Sequence, residues 1–404
     1  MKTLRQLYRI GRGPSSSHTM GPRRAAEQFL AAYPAAAAFR ATLYGSLAAT
    51  GKGHLTDHVL HATFAPRAVE LVWRPAEQLP LHPNGLLLAA LAEDGALLGE
   101  AAFYSVGGGA LLGDADAGPT YALTTLTDLL ADCEARGLAF WNSVEEVEGA
   151  GVWDFLDAVW EAMTAAVGRG LEAGGALPGG LRLPRKASAL YRRAKTLHGE
   201  FQSEALLAAY AYAVSEENAS GGEVVTAPTC GSCGVLPAVL FHLQAGYAFT
   251  RQDVRHALAT AGLFGNVVKT NASISGAMVG CQGEVGVACA MAAAAAAQLL
   301  GGTPRQVEYA AEMGLEHHLG LTCDPVAGLV QIPCIERNAH AATRALSCAR
   351  FALLSDGRHR ISFDDAVTVM FATGRALPNL YRETSLGGLA EVYARRLAAE
   401  EPPA

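Results

Sequence analysis

Three cysteines stand in surroundings that suit metal chemistry. Cys323 and Cys334 lie 11 residues apart in Cys323-Asp324-Pro325-Val326-Ala327-Gly328-Leu329-Val330-Gln331-Ile332-Pro333-Cys334, and Cys281 lies 42 residues upstream in Gly280-Cys281-Gln282-Gly283-Glu284. Prolines and glycines interrupt regular helix there, so the thiols can approach one centre from different directions. Soft thiolates suit an iron–sulfur cluster. Three of them leave one iron of a [4Fe–4S] cluster without a protein ligand, the open-position logic that separates catalytic from structural zinc sites. Buried free cysteine is the plainer alternative, since the residue is commonly buried for its packing alone.

A second group lies near the start of the chain. Ser15-Ser16-Ser17-His18-Thr19 sits between Gly13-Pro14 and Gly21-Pro22. Hydroxyls and backbone amides gathered before a helix suit a carboxylate or phosphate, although ordinary helix capping by serine and threonine has the same pattern. His54, in Gly51-Lys52-Gly53-His54, and His82, in His82-Pro83-Asn84-Gly85, are candidate proton acceptors, because neutral imidazole works as a base near pH 7. Asn84 could orient such a base. A lone histidine is more often a structural hydrogen-bonder, and His58, His61, His317 and His318 are read that way. Cys230-Gly231-Ser232-Cys233 offers a redox pair or two further ligands. Cys289 lies in an apolar run and reads as core, while Cys133 and Cys348 carry no motif.

The elements that would position these groups fall into two parts, an α+β arrangement. Residues 1 to about 115 read as α/β. An alanine-rich helix starts at Arg24–Leu30, Ala41–Ser46 and Ala68–Trp73 are short strands, and Asp94-Gly95 between Leu86–Leu91 and Ala96–Val106 marks a hairpin. Gly113–Thr120 is small, polar and closed by Pro119, which suits a linker. From residue 121 to 404 the spacing turns helical. Leu123–Cys133, Val152–Leu171 and Glu204–Val214 place apolar residues three and four apart, Arg185–Lys195 is a basic helix, and Val285–Leu300 is apolar round most of its circumference, which puts it at the centre of a bundle.

Composition narrows the class. Half of the 404 residues are apolar and 17% are charged, which describes a core-rich globular protein. A formal charge of −7 argues against a nucleic-acid surface. Eight cysteines are too sparse for a disulfide scaffold, so reduced thiols in a cytoplasmic protein are expected. The first 24 residues hold six basic side chains and no acid, superficially like a transit peptide, but removing them would remove Gly13–Pro22 as well. Alanine-rich Val285–Leu300 is broken by Gln298 and reads as a buried helix, not a membrane span.

The wording of four segments goes further than their spacing. Asn271–Gly286, Cys323–Asn338, Gly13–Pro22 and Tyr381–Ala390 together resemble the iron–sulfur-dependent bacterial L-serine dehydratases, in that family's order and over nearly the whole chain. Gly51–Asp57 and His82–Gly85 resemble two further segments of the family. The resemblance implies a small beta-chain-like α/β domain (1–115) followed by an all-helical, alpha-chain-like catalytic domain (121–404). It implies a [4Fe–4S] cluster on Cys281, Cys323 and Cys334, with His82, His54 and Asn84 as the catalytic set. Ser15, Ser16, Ser17, His18, Thr19, Asn271, Ser273 and Arg382 are its implied substrate-binding residues, and Ala227–Gly234 lines the pocket. A homodimer acting on a small amino acid, with no nucleic-acid or membrane partner, is the implied assembly. The reaction it implies is β-elimination of water from L-serine to give pyruvate and ammonia. Related dehydration of L-threonine, desulfuration of L-cysteine, or a non-catalytic cluster sensor are the alternatives. Some members carry a C-terminal cysteine that caps the open iron. This chain ends Glu400-Glu401-Pro402-Pro403-Ala404, so water or substrate is expected there instead.

Overall fold

The computed structural model describes residues 1–114 and 120–400. The expected linker, Gly113–Thr120, therefore falls mostly outside the described residues. A small sheet domain is followed by a large helical region, an α+β fold.

The sheet domain is built from four strands, β2 (Ala38–Tyr44), β3 (Ala68–Arg74), β4 (Gly85–Leu91) and β5 (Leu97–Tyr104), in spatial order β3-β2-β4-β5. The strand β1 (Ile10–Arg12) precedes them and belongs elsewhere. β2 and β3 are parallel, in register Ala38↔Ala68 to Tyr44↔Arg74, so the chain must cross over between them. The crossover holds the helices α2 (Gly45–Ala49) and α3 (Thr56–Phe64). β2 ends at Tyr44, two residues before the sequence pattern suggests, because Gly45 takes φ +53° and turns the chain into α2. β4 and β5 pair antiparallel across the Asp94-Gly95 turn, where Gly95 has φ +82°. The helix α1 (Gly21–Ala32) packs on this sheet through Ala25, Ala26 and Phe29, and Phe29, Phe39 and Phe64 form its aromatic centre.

The helical region is organised round Val285–Leu299. Every residue from Val285 to Ala297 is buried. A run of alanines makes that possible, because a slim helix lets neighbours approach to backbone distance. A Cβ on Gly314, in helix Pro304–Glu316, would come within 3.0 Å of the Ala290 Cα. Arg251–Asn271 and Cys334–Leu353 flank the same central helix.

The first twelve residues do not join the sheet domain's core. Met1, Leu4, Leu7 and Tyr8 are buried in the helical core, and β1 pairs antiparallel with β6 (Glu223–Val225) in a two-stranded ribbon. Tyr8 donates its hydroxyl to the Leu258 carbonyl at 2.9 Å, and the Met1 ammonium donates to the Tyr121 carbonyl at 3.0 Å. The chain therefore starts in the bundle, leaves it to build the sheet domain and returns at residue 120. Residues 13–20, the serine-rich loop, make the outward passage. Among the described residues no helix is long and apolar enough to cross a membrane.

Candidate active site

Each cysteine is placed by a different device. Gly280 has φ +74°, and a Cβ there would meet the Leu321 carbonyl at 2.7 Å; the tight bend brings Cys281 N to donate to that carbonyl at 3.0 Å. Cys323 is held by a short parallel bridge. Its N–H donates to Tyr381 O at 2.8 Å and its carbonyl accepts from Glu383 N at 2.7 Å. Cys334 opens the helix Cys334–Leu353. One turn later the Arg337 guanidinium hydrogen-bonds the Cys281 sulfur and donates to Thr322 O at 2.7 Å. All eight cysteines are free.

The three cysteines line one small, largely buried pocket of about 20 Å³, together with Pro14, Ser15, His54, Gly231, Glu284, Pro325, Val330 and Glu383. The site thus gathers groups from the serine loop, the sheet domain, the bundle and the C-terminal segment. Burial pushes the Cys281 thiol up to about 11 and raises Cys323 and Cys334 as well, with Arg337 opposing the shift at Cys281 and Cys334. With these shifts the thiols stay protonated at neutral pH even beside Arg337, and a bound metal ion is what would favour thiolates here. Three convergent soft donors beside a guanidinium, with oxygen and nitrogen groups on the remaining side of the cavity, fit an iron–sulfur cluster better than an inert apolar core.

Two carboxylates complete the lining. Glu284 accepts from Thr229 Oγ1 at 2.8 Å and lies 3.8 Å from the Cys323 sulfur, and burial lifts it to about 6. Glu383 is raised well above the ordinary carboxylate range by burial and by Glu284, and its Oε1 lies 3.5 Å from His18 Nδ1. Asn338 ties the wall together. Its Nδ2 donates to Gly231 O and Cys334 O, both at 2.8 Å, while its Oδ1 accepts from Gly234 N at 2.9 Å.

The serine loop is knotted to the His54 loop. Ser15 Oγ accepts from His18 N at 3.1 Å, Thr19 Oγ1 accepts from Ser15 N and donates to His54 O at 2.7 Å, and Thr56 Oγ1 donates to His18 O at 2.6 Å. Asn218 Nδ2 donates to Pro14 O at 2.8 Å and fixes the loop to the bundle. Ser15 therefore reaches the cavity, whereas Ser16, Ser17 and Thr19 are buried outside its lining. His18 and His54 are buried edge to face, ring centroids 4.5 Å apart. Burial holds His18 neutral down to about 4 and lowers His54 too.

His82 and Asn84 stand one layer back. His82 Nδ1 accepts from Asn84 N at 3.1 Å, and its electrostatic influence falls on His18. His82 Nε2 and both ends of the Asn84 amide have no hydrogen-bond partner among the described residues. Three further candidates point away from the cavity. Asn271 is exposed and donates to Thr124 O at 2.7 Å, Ser273 Oγ accepts from Ser275 N at 3.1 Å, and Arg382 donates to Met278 O and to the Asn379 side chain. In the Arg382 segment it is the next residue, Glu383, that lines the cavity. Glu284, Glu383, Arg337 and Asn338 were all inside recognisable segments, yet nothing in the local pattern separates a buried acid or amide from a surface one. Cys230 and Cys233 are buried beside the cavity and outside its lining, with the Cys230 sulfur 3.6 Å from that of Met20. His317 and His318 line a separate cavity of about 950 Å³ between helices Pro304–Glu316 and Cys334–Leu353, which shares Arg337 with the thiols.

His82 gives a stability signature. Burial lowers its folded-state pKa to about 4, from about 6.5 unfolded. Between those values the unfolded chain holds the extra proton, so stability is present above pH 6.5 and is lost as pH falls towards 4. The loss is on the order of 3 kcal/mol. Glutamine at 82 cannot titrate. Urea unfolding at pH 7 and pH 4 should therefore show wild type losing about that much more than His82→Gln. A wild type-to-variant difference that is constant with pH would mean His82 protonates as easily folded as unfolded.

Residues 115–390 match the family described as the serine dehydratase alpha chain, and residues 3–66 and 61–116 match the serine dehydratase beta chain. The chain is 40% identical over 451 residues to L-serine dehydratase 1 of Escherichia coli (strain K12), covering 96% of this chain and 99% of that protein. Identity to the L-serine dehydratase of Streptomyces coelicolor is 40% over 449 residues, with 95% of this chain and 97% of that protein covered. For the L-serine dehydratase of Helicobacter pylori it is 36% over 451 residues, with 96% and 98% covered.

Proposed function

Because the chain belongs to the serine dehydratase family, with beta-chain and alpha-chain parts in one polypeptide, we propose that it converts L-serine to pyruvate and ammonia. The observation that carries this reading is the shared cavity: Ser15 and His54 from one part of the chain line it with Cys281, Cys323 and Cys334 from the other. A sensor needs the thiols; an eliminating enzyme needs a base and a substrate-binding wall as well.

Cys281, Cys323 and Cys334 would hold a [4Fe–4S] cluster. Such a group supplies a Lewis acid for a hydroxyl that is otherwise a poor leaving group. The protein's own residues do the rest. The substrate ammonium pairs with the half-buried Glu284 and the buried Glu383, and its carboxylate meets the hydroxyl of Ser15. Neutral His54 takes the α-proton at Nδ1, a buried atom with no hydrogen-bond partner among the described residues. Loss of that proton and of the β-hydroxyl as water leaves aminoacrylate. It tautomerises to the imine, and one water hydrolyses the imine to pyruvate and ammonia. His18, held by Ser17 and Ser46, keeps the His54 ring in place edge to face. Carrying out this chemistry in a largely buried pocket strengthens each electrostatic contact and limits the access of bulk water.

The test is an anaerobic pyruvate assay on reconstituted protein with L-serine beside L-threonine, L-cysteine and D-serine. Turnover should be highest on L-serine and absent on D-serine, whose α-proton would point away from His54. Full iron content with no lyase activity on any of the four would favour a sensor. One methyl is weakly discriminated by a pocket, so measurable L-threonine turnover is compatible with the reading.

A further inference from the structure

We propose that His18, His54 and Glu383 form a second, inhibitory metal site, one that takes a divalent cation of the zinc class. The three residues are buried, and each offers a ligand atom within 4.8 Å of the other two. His18 is already oriented as a ligand. Its Nε2 lies 3.1 Å from the Ser46 carbonyl, which only accepts, so the neutral ring carries N–H there and its lone pair at Nδ1. That lone pair faces Glu383 Oε1 at 3.5 Å. The facing imidazole nitrogen and carboxyl group are a pair that a cation can bridge once the carboxyl proton is given up. Two further atoms are buried without a hydrogen-bond partner among the described residues, His54 Nδ1 and Glu383 Oε2.

Two imidazoles and a carboxylate are a donor set of open zinc sites, with the fourth position left for an exogenous ligand. Four-coordinate zinc sets its ligand atoms about 3.3 Å apart. The His18–Glu383 separation fits as it stands, and His54 must close in by at most about 1.5 Å. The Ser17 hydroxyl, now 2.8 Å from His18 Nδ1, would turn to Ser15 Oγ, 3.3 Å away. Binding rests on this geometry alone. Its effect on turnover rests on the proposed function, because the ion would occupy the base and one carboxylate that meets the substrate ammonium.

The experiment uses the anaerobic, cluster-loaded full chain titrated with Zn²⁺ in a calorimeter, with iron content measured before and after. One equivalent should bind with no iron released, and His54→Gln and Glu383→Gln should each weaken it by about 100-fold or more. With L-serine varied, zinc should raise the apparent KM and leave kcat unchanged. No zinc uptake, uptake that releases iron, or uptake equal in both variants and wild type would overturn the site. Zinc binding that both variants weaken, in a protein that does not turn over serine, would leave the site standing and remove the function.

Discussion

Serine at Cys281, Cys323 or Cys334 is expected to remove the brown chromophore, the bound iron and the activity together. The three thiols line one cavity and all feel the charge of Arg337, so losing any one would leave two sulfurs to hold the proposed cluster. The same change at Cys133, Cys230, Cys233 or Cys348 should leave absorbance and iron content near wild type. Cys133 packs against Ser143 in a different part of the core, and the Cys230 sulfur turns to Met20. Iron analysis and visible spectra after anaerobic reconstitution decide the matter. Full iron in any of the first three variants would remove that residue from the ligand set, and iron loss on changing Cys230 would move the cluster towards the Cys-x-x-Cys turn.

The second large effect is expected at His54. Alanine there should cut kcat by about 10²-fold or more, the usual worth of a positioned base, with the visible spectrum unchanged. His82→Ala should cost less than about tenfold, since that ring is buried outside the lining of the cavity. Because burial lowers His54 below the ordinary histidine range, the acid limb of kcat/KM should lie well under pH 6.5. Raising pH through that limb increases the neutral, proton-accepting form. A wild-type acid limb near 6.5 would fit neither buried ring and would remove His54 as the base, and His82→Ala falling as far as His54→Ala would return that role to His82.

Much of the architecture is legible from the chain alone. Val285–Leu299 announces itself because it is apolar all round, and the β4–β5 hairpin because Asp94-Gly95 supplies its turn. The thiols are legible for the same local reason, glycine and proline beside cysteine. What is not legible depends on contacts distant in sequence. β1 is three residues long, too short for alternation to register, and its partner lies past residue 220. Glu383 enters the cavity only because Cys323 bridges to its segment. Asn271 shows the opposite case. It sits in a segment that does build the site, but that segment turns Cys281 inward and Asn271 out to Thr124. A recognisable stretch says which piece of backbone is near the chemistry; the local turn decides which side chains arrive.

The pairing of β1 with β6 also bears on the order of events during synthesis. Residue 12 leaves the ribosome well before residue 223, the first of its partners, exists. At about 5–20 residues per second the wait is on the order of 10–40 s. In that interval the intervening sheet domain, which has its own core, can fold. The apolar side chains Leu4, Leu7 and Tyr8 meanwhile have no bundle to enter. The serine loop, anchored on one side by Asn218 and on the other by Thr56, can take its final shape only after that late docking. Assembly of the reaction centre is therefore a closing event of biogenesis, and a nascent chain stalled before residue 223 would carry a finished sheet domain and an unfinished site.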